Sequence, residues 1–196
     1  PHGRGIEKYT NGDVYEGDFD NGNRHGRGIM KYADGNVYEG EYKDGERHGW
    51  GKRYHASGSF YEGEHKNGDL NGRGTLRNSD GVVYEGECEG DVPHGRGIET
   101  APDGAVYEGC FEKGKKHGKG LYTLPDGVVY DGVWVEGIPL EEGAVVYNCA
   151  KRAASLAQLT LTASLPAQTE AAASLPSGNG DEDNCSVNSW EFGEDD

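Results

Sequence analysis

The sequence predicts an all-β protein, an elongated single-layer antiparallel sheet of tandem β-hairpins. The first reason is a period of 23 residues, marked by a Tyr-Glu-Gly or Tyr-Asp-Gly tripeptide. The second is composition: 34 glycines among 196 residues disfavour helices, and 33% hydrophobic residues are too few for a deep two-layer core. The tripeptides begin at Tyr15, Tyr38, Tyr61, Tyr84, Tyr107 and Tyr130.

Each period contains two short strands and two turns. In the first period residues 5–9 and 14–19 form the strands, and residues 10–12 (Thr-Asn-Gly) join them. Asn-Gly and Asp-Gly favour hairpin turns because glycine adopts a positive φ without a Cβ clash. A second turn begins near residues 21–22 (Asn-Gly) and leads into the next period. Each period therefore supplies one hairpin to the sheet.

Strand parity selects the length of the first turn. A two-residue loop would place Tyr9 on the face opposite Tyr15, because successive side chains of a strand alternate between faces. A three-residue loop with Gly12 in the left-handed region puts Tyr9, Tyr15 and Phe19 on one face. We therefore predict the three-residue loop, with rings of this face covering the bare backbone of glycines in neighbouring strands.

The pattern Tyr-Glu-Gly-x-Phe-x-x-Gly-x-x-His-Gly-x-Gly, at residues 15–28, resembles the MORN (membrane occupation and recognition nexus) repeat. The resemblance covers residues 1–137 as six repeats in register. It implies a single-layer antiparallel sheet that serves as a non-catalytic scaffold or targeting module, and not an enzyme. Departures from the pattern fall in the third and fourth repeats. They are Ser57 for the turn Asp, Asn71 for the His, and His65 and Cys88 for the bulky aromatic.

The chain begins halfway through a period, so its first strand is expected to leave an open sheet edge. An open edge pairs readily with another strand. This predicts further repeats upstream in a longer protein, or an end-to-end or side-by-side homodimer. The chain also lacks an initiator Met, which favours a missing N-terminal part. The resemblance implies an enzyme domain as one form of that part, so a regulatory module of a larger enzyme is a further alternative function.

The regular period stops after Gly137. Residues 138–149 are expected to form a terminal strand or capping segment. Residues 150–166 contain helix formers and end at a proline, which predicts a short helix, with an unstructured linker as the alternative. Residues 167–196 are rich in Ala, Ser, Gly, Asp and Glu and predict a disordered acidic tail. Within it, Trp190 and Phe192 stand among acids and form either a short partner-binding motif or part of an unstructured end.

The cysteines are scattered and lack Cys-x-x-Cys spacing, which predicts reduced thiols in a cytosolic protein rather than a disulfide framework. They are Cys88, Cys110, Cys149 and Cys185. We accordingly expect a cytoplasmic protein, in assemblies associated with the cytoskeleton or with membranes.

Two periodic columns of reactive side chains do not form a catalytic or metal site. Residues one repeat apart lie about 10 Å apart in a sheet, whereas zinc ligands lie about 2.0–2.3 Å from a shared ion. Near copies of one carboxylate also lack the distinct environments that an acid and a base require. The columns are His2, His25, His48, His94 and His117, and Glu16, Glu39, Glu62, Glu85 and Glu108. No catalytic residue, metal or cofactor is predicted.

Charge limits the partners. The net charge of −16 excludes nucleic acid as a partner and disfavours membrane approach. One local basic cluster nevertheless suits an anionic lipid headgroup, which makes a phosphoinositide-binding tether the alternative function. The cluster is Lys113, Lys115, Lys116 and Lys119.

The preferred function is a scaffold that binds a partner protein segment along a groove lined by aromatic rings. The acidity of the chain predicts that this segment is basic and amphipathic. The alternative role for the rings is that they only cover glycines. The predicted groove residues are Tyr15, Phe19, Tyr38, Tyr42, Tyr61, Tyr84, Tyr107, Phe111, Tyr130 and Trp134.

Overall fold

A computed structural model describes residues 2–141, 144–148 and 185. The described residues form a single sheet of 14 strands. The strands are β1 (Gly3–Lys8), β2 (Val14–Asp20), β3 (Asn23–Lys31), β4 (Val37–Lys43), β5 (Glu46–Tyr54), β6 (Phe60–Lys66), β7 (Asp69–Arg77), β8 (Val83–Glu89), β9 (Val92–Thr100), β10 (Val106–Glu112), β11 (Lys115–Thr123), β12 (Val128–Val135), β13 (Ile138–Pro139) and β14 (Val145–Asn148).

Strands adjacent in sequence pair antiparallel from β1 to β13, and β14 also pairs with β12. The predicted all-β, single-layer, open antiparallel sheet is therefore confirmed. The helix predicted for residues 150–166 lies outside the described residues, which themselves contain no helix. Nor do they contain any helical segment of the length and apolarity that a membrane crossing requires.

The first turn of each hairpin is the predicted three-residue loop. The N–H of Tyr9 donates to Asp13 O (2.9 Å), and the N–H of Gly12 donates to Tyr9 O (3.0 Å). Gly12 has a φ of 95°, so it lies in the left-handed region that glycine adopts without strain. The same pair of bonds recurs from Tyr32 to Leu124 at each repeat, so one loop geometry closes every hairpin.

The second turn of each period is a two-residue loop with positive φ at both positions, as in a type I′ turn. In the fourth period the residue order is reversed, and Gly90 (φ 57°) precedes Asp91 (φ 69°). These turns are joined to each other: the N–H of Gly45 donates to Arg24 O, and the N–H of Gly68 donates to Arg47 O. Equivalent bonds run along the sheet, so the turns form a continuous stack at one rim.

Register divides the sheet into two faces, because directly paired residues point the same way. Tyr15 pairs with Met30, and Gly17 pairs with Gly28, so these residues share what we call the ring face. Glu16 and Ile29 share the opposite face, which we call the charged face.

The core is a single row of side chains on the ring face. The Tyr15 hydroxyl donates to Asp18 O (2.9 Å), which holds its ring over Gly17 and Gly28. Its edge-to-face neighbours are Phe19 and Tyr42, with both ring-centroid distances at 5.1 Å. The row forms two buried clusters, and His65 joins them by contacting Tyr38 and Tyr61.

One cysteine prediction is wrong. Cys110 and Cys185 form a disulfide with a Cα–Cα distance of 5.5 Å, within the normal range for such bridges. Spacing could not indicate this bond, because it links positions 75 residues apart. Cys88 is a free, buried thiol, and burial raises its pKa to about 11. Cys149 lies outside the described residues.

Candidate protein-binding groove

The ten rings predicted to line a groove are part of the core instead. Nine of them are buried, and Tyr130 is partly buried. The reason is the glycine column: five of the tyrosine rings each cover the backbone of two glycines, and neighbouring rings cover their sides. These five are Tyr15, Tyr38, Tyr61, Tyr84 and Tyr107. Burial also raises the pKa of Tyr15 and Tyr107 to about 12, so these phenols stay neutral at ordinary pH. This burial favours other residues as the lining of a partner groove.

Cations cover the ring face further. The guanidinium of Arg24 lies 5.4 Å from the Tyr42 ring centroid and donates to Gly45 O (2.6 Å). Lys116 lies 5.1 Å from the Tyr107 centroid and pairs with Glu99 at 3.0 Å. These side chains stabilise the rings by cation–π contact and close the space above them.

Two open grooves lie on the charged face. The larger, of about 780 Å³, runs from Trp50 on β5 to Leu121 on β11. The second, of about 710 Å³, runs from Arg4 on β1 to Lys52 on β5. Trp50 lines both grooves and is 49% exposed, which is unusual for a large aromatic side chain. Ile98 in the larger groove is 40% exposed.

A row of exposed side chains crosses these grooves at one residue per repeat. All but Trp50 are cationic. Among the described residues Arg4 pairs with Glu16 at 3.6 Å, whereas the other four cations make no ion pair. The row is Arg4, Arg27, Trp50, Arg73, Arg96 and Lys119. This row was not predicted as a unit, although each member is the middle residue of a Gly-x-Gly triplet. Its 23-residue spacing was the signal available.

Two carboxylates beside this row accept hydrogen bonds from the backbone of its members. Asp18 accepts a hydrogen bond from the Arg27 N–H (3.1 Å), and Glu64 accepts one from the Arg73 N–H (3.2 Å). Each is close to a left-handed glycine where the strand register shifts. In the fifth repeat Cys110 occupies the position of these acids. The Cys185 carbonyl oxygen lies 3.3 Å from the point that a Cβ of Gly118 would occupy, so the bridge brings Cys185 to one end of the larger groove.

The structure does not bring the four lysines of the predicted headgroup site together. Lys113 pairs with Glu112 at 3.4 Å, and Lys115 pairs with Glu136. Lys116 lies on the ring face, whereas Lys119 belongs to the charged face. In the part of the chain that the structure describes, no three His, Cys, Asp or Glu side chains are placed to hold a metal ion.

Comparison with known proteins agrees with the repeat pattern. The MORN repeat family model matches six consecutive segments, at residues 1–14, 15–37, 38–60, 61–83, 84–106 and 107–129. The chain belongs to the MORN repeat family. MORN repeat proteins are generally non-catalytic scaffolds.

Among solved structures, this MORN array is similar to the TCP domain of SAS-4 (dCPAP) from Drosophila melanogaster, determined in complex with a proline-rich motif of Ana2 (dSTIL). The two share 14% identity with a TM-score of 0.47, over 75% of this chain and 79% of that one. A search of curated proteins found no match.

Proposed function

We propose that this MORN array is a non-catalytic scaffold that binds an extended segment of a partner protein in the grooves of its charged face. The observation that carries the proposal is Trp50, a half-exposed indole where the two grooves meet. Exposed tryptophan within a groove is a typical anchor for a protein partner. Cytoskeletal or membrane association belongs to the same proposal, whereas the Cys110–Cys185 disulfide is of a kind that is rare in the cytosol and so weighs against the expected cytoplasmic setting.

Repeat geometry favours an extended partner. Two strands at about 4.8 Å spacing give a step of about 9.6 Å per repeat. An extended chain covers this step with about three residues. A segment lying across the strands would thus place every third residue near Trp50, Arg73, Arg96 or Lys119.

The charge of the partner follows from two opposed features. The net charge of −16 supports the expected basic, amphipathic segment, whose cations would meet exposed acids such as Glu85 and Glu108. The exposed cations of the groove floor, such as Arg73 and Arg96, would pair with carboxylates of the same segment. A partner of mixed charge therefore fits better than a uniformly basic one.

Affinity capture from the source cells tests the proposal. Trp50→Ala should reduce recovery of a specific partner about tenfold or more, as expected for an anchor residue, and should leave the melting temperature nearly unchanged. Leu124→Ala is the control, because Leu124 is 38% exposed beside a hairpin loop and lies outside both grooves. Equal recovery with both variants would contradict the proposal.

The phosphoinositide-tethering alternative has less support, because the four lysines are divided between two faces and three of them already pair with glutamates. Sedimentation with phosphoinositide vesicles tests it. Binding that weakens with salt and with Lys113→Ala would favour the lipid function.

Homodimer formation is a separate proposal. β1 pairs only with β2, and most of its side chains are exposed, so one sheet edge is open within the described residues. Light scattering should then show a dimer at high concentration. A strict monomer there would contradict it.

A further inference from the structure

The disulfide connects the C-terminal end of the chain to the proposed partner groove. Cys110 lies on β10 and lines the larger groove, and Cys185 is bonded to it. Cys110 also pairs in register with Arg96 on β9. The chain therefore leaves Cys185 beside an exposed cation of the groove floor.

The position of Cys110 makes the groove asymmetric. Toward Leu121 only one more strand, β11, contributes to the groove, whereas toward Trp50 five strands do so, β5 to β9. A segment that begins at Cys185 and follows the groove thus has its long path toward Trp50. That path passes Arg96, Ile98 and Arg73 in turn.

We infer that residues 186–196, the C-terminal segment SVNSWEFGEDD, bind in this groove of their own chain. The segment carries four acids and no Lys or Arg, and the groove floor exposes cations without an ion pair among the described residues. The segment also has two aromatic residues, Trp190 and Phe192, and the groove exposes apolar surface at Ile98 and Trp50. The groove is also lined by Glu62, Glu85, Glu87 and Glu108, so the acids of the segment complement the unpaired cations of the floor rather than the whole lining, and its aromatic residues add apolar contact.

The reach of the segment fits the length of the groove. Five strand steps separate Cys110 from Trp50, a distance of about 24 Å. Eleven residues span up to about 36 Å, so the segment reaches Trp50. Trp190, five residues after Cys185, reaches about 17 Å, which places it near Arg73 on β7. Arg4 on β1 lies nine strand steps away, about 43 Å, beyond the reach of the segment.

The inference rests on the proposed function, because the segment would occupy the groove that a partner needs. The disulfide keeps the segment at a high effective concentration. Bound in this way, it competes with partners of similar chemistry, those with carboxylates and aromatic anchors.

Site-specific photo-crosslinking of the full-length, oxidised chain tests the inference. Trp190→p-benzoylphenylalanine places a photoreactive group in the segment, and a non-reducing peptide map verifies the disulfide. Irradiation should give intramolecular crosslinks to the charged face between β5 and β9. Arg73→Glu together with Arg96→Glu should reduce their yield about fivefold, as expected when two exposed charge pairs are lost.

Arg4→Glu is the matched control, since it changes the same charge on the same face outside the reach of the segment. Its crosslink yield should equal that of the parent chain. If the double reversal fails to fold by circular dichroism, Arg73→Gln with Arg96→Gln replaces it. Crosslinks outside the groove, or a yield that does not respond to either double variant, would overturn the inference.

These outcomes separate the inference from the proposed function. Trp50-dependent capture of a partner without groove crosslinks would leave the scaffold function standing and overturn the inference. Groove crosslinks without Trp50-dependent capture would support the inference and contradict the proposed scaffold function.

Discussion

The pairing of Tyr38 with Gly51 is the smallest stabilising unit of the fold. A Cβ built on Gly51 would lie 2.7 Å from two ring carbons of Tyr38, so the ring occupies the space that a side chain would need. The Tyr38 hydroxyl donates to Glu41 O (3.0 Å), which prevents the ring from moving aside freely. Gly51 does not have a positive φ, so backbone conformation does not require glycine there. Glycine is required because the Tyr38 ring approaches the backbone too closely for a Cβ.

Gly51→Ala should therefore destabilise the protein by about 1–3 kcal/mol, the usual cost of overpacking a rigid core. Urea denaturation monitored by circular dichroism would measure this change. Gly5→Ala is the matched control, since Gly5 occupies the equivalent position in β1 and its Cβ would meet Phe19 at an ordinary 3.4 Å. Its effect should stay within about 0.5 kcal/mol. Equal losses in both variants would show that ring contact is not the cause.

His65 is the member of the ring row whose contribution to stability depends on pH. It is buried, its Nδ1 lies 3.2 Å from Gly63 O, and its Nε2 has no hydrogen-bond partner among the described residues. Burial, assisted by the positive charge of Arg47, lowers the pKa of His65 to about 4. The neutral imidazole is thus favoured in the folded state.

The resulting stability is fully present above pH 6.5, the ordinary pKa of histidine, and is lost as the pH falls toward 4. From pH 8 to pH 5 this single group should cost the wild-type chain about 2 kcal/mol. His65→Phe should remove this pH-dependent loss of stability, because phenylalanine does not titrate. Phenylalanine fits the site, since it occupies the equivalent position in the first and fifth repeats. Urea titrations at both pH values measure the difference. Identical pH responses of variant and wild type would refute the assignment.

The two-residue turns are the elements in which sequence and conformation conflict most. Positive φ is common for Asn and Asp but unfavourable for long side chains, yet Lys113 has a φ of 50° and Glu136 a φ of 52°. The stack of turn bonds, such as that from Gly137 N–H to Lys116 O, holds these residues in place. The C-terminal turns are therefore maintained by their neighbours rather than by local preference.

Lys113→Asn restores the Asn-Gly sequence that a type I′ turn favours and should stabilise the protein by up to about 1 kcal/mol. The exposed pair that Lys113 makes with Glu112 contributes little, so its loss should not cancel this gain. Lys115→Asn, which changes the same residue type just after the turn, is the control and should not stabilise. Thermal denaturation measures both variants, and an unchanged or lower melting temperature for Lys113→Asn would contradict the prediction.

The sequence was sufficient for the hairpin elements because glycine positions and strand parity restrict the backbone directly. Gly12 could be assigned to a left-handed loop position, since only that loop length keeps Tyr9 and Tyr15 on one face. The register shift after Gly17 was not predicted. It depends on the left-handed conformation of Gly26 on β3 and on the hydrogen bond from the Arg27 N–H to the Asp18 carboxylate on β2. Such a contact exists only once the strands are paired.

On the scale of the whole molecule, the period was enough to predict the single sheet but not the burial of its rings. The aromatic positions were predicted to be accessible because a single layer has no second sheet to cover them. In the structure the rings cover one another, and the side chains of Arg24 and Lys116 fold over them. The exposed row that includes Trp50 and Arg73 was not distinguished from ordinary solvated charge, since exposure depends on which face the rings occupy.

The disulfide should affect the two ends of the molecule differently. Stability in a repeat array is transmitted mainly between neighbours, so a bond at Cys110 supports the repeats around β10. Reduction should speed amide exchange in β9 to β12 at least about tenfold, a modest share of the 2–4 kcal/mol that disulfides typically contribute.

Hydrogen exchange with mass spectrometry would measure this effect under oxidising and reducing conditions. Strands β2 to β5 of the same molecule provide the internal control and should change less than about twofold. A uniform loss of protection along the sheet would contradict a nearest-neighbour array.

The stacked turns have a consequence for the evolution and engineering of this chain. Because Gly45 bonds to Arg24 as Gly68 bonds to Arg47, neighbouring hairpins meet through interchangeable groups. Excising residues 38–60 would bring together two surfaces that already suit each other, and would shorten the sheet by about 9.6 Å. The number of hairpins therefore sets the length of the sheet, and duplication or loss of one unit changes that length by a fixed amount.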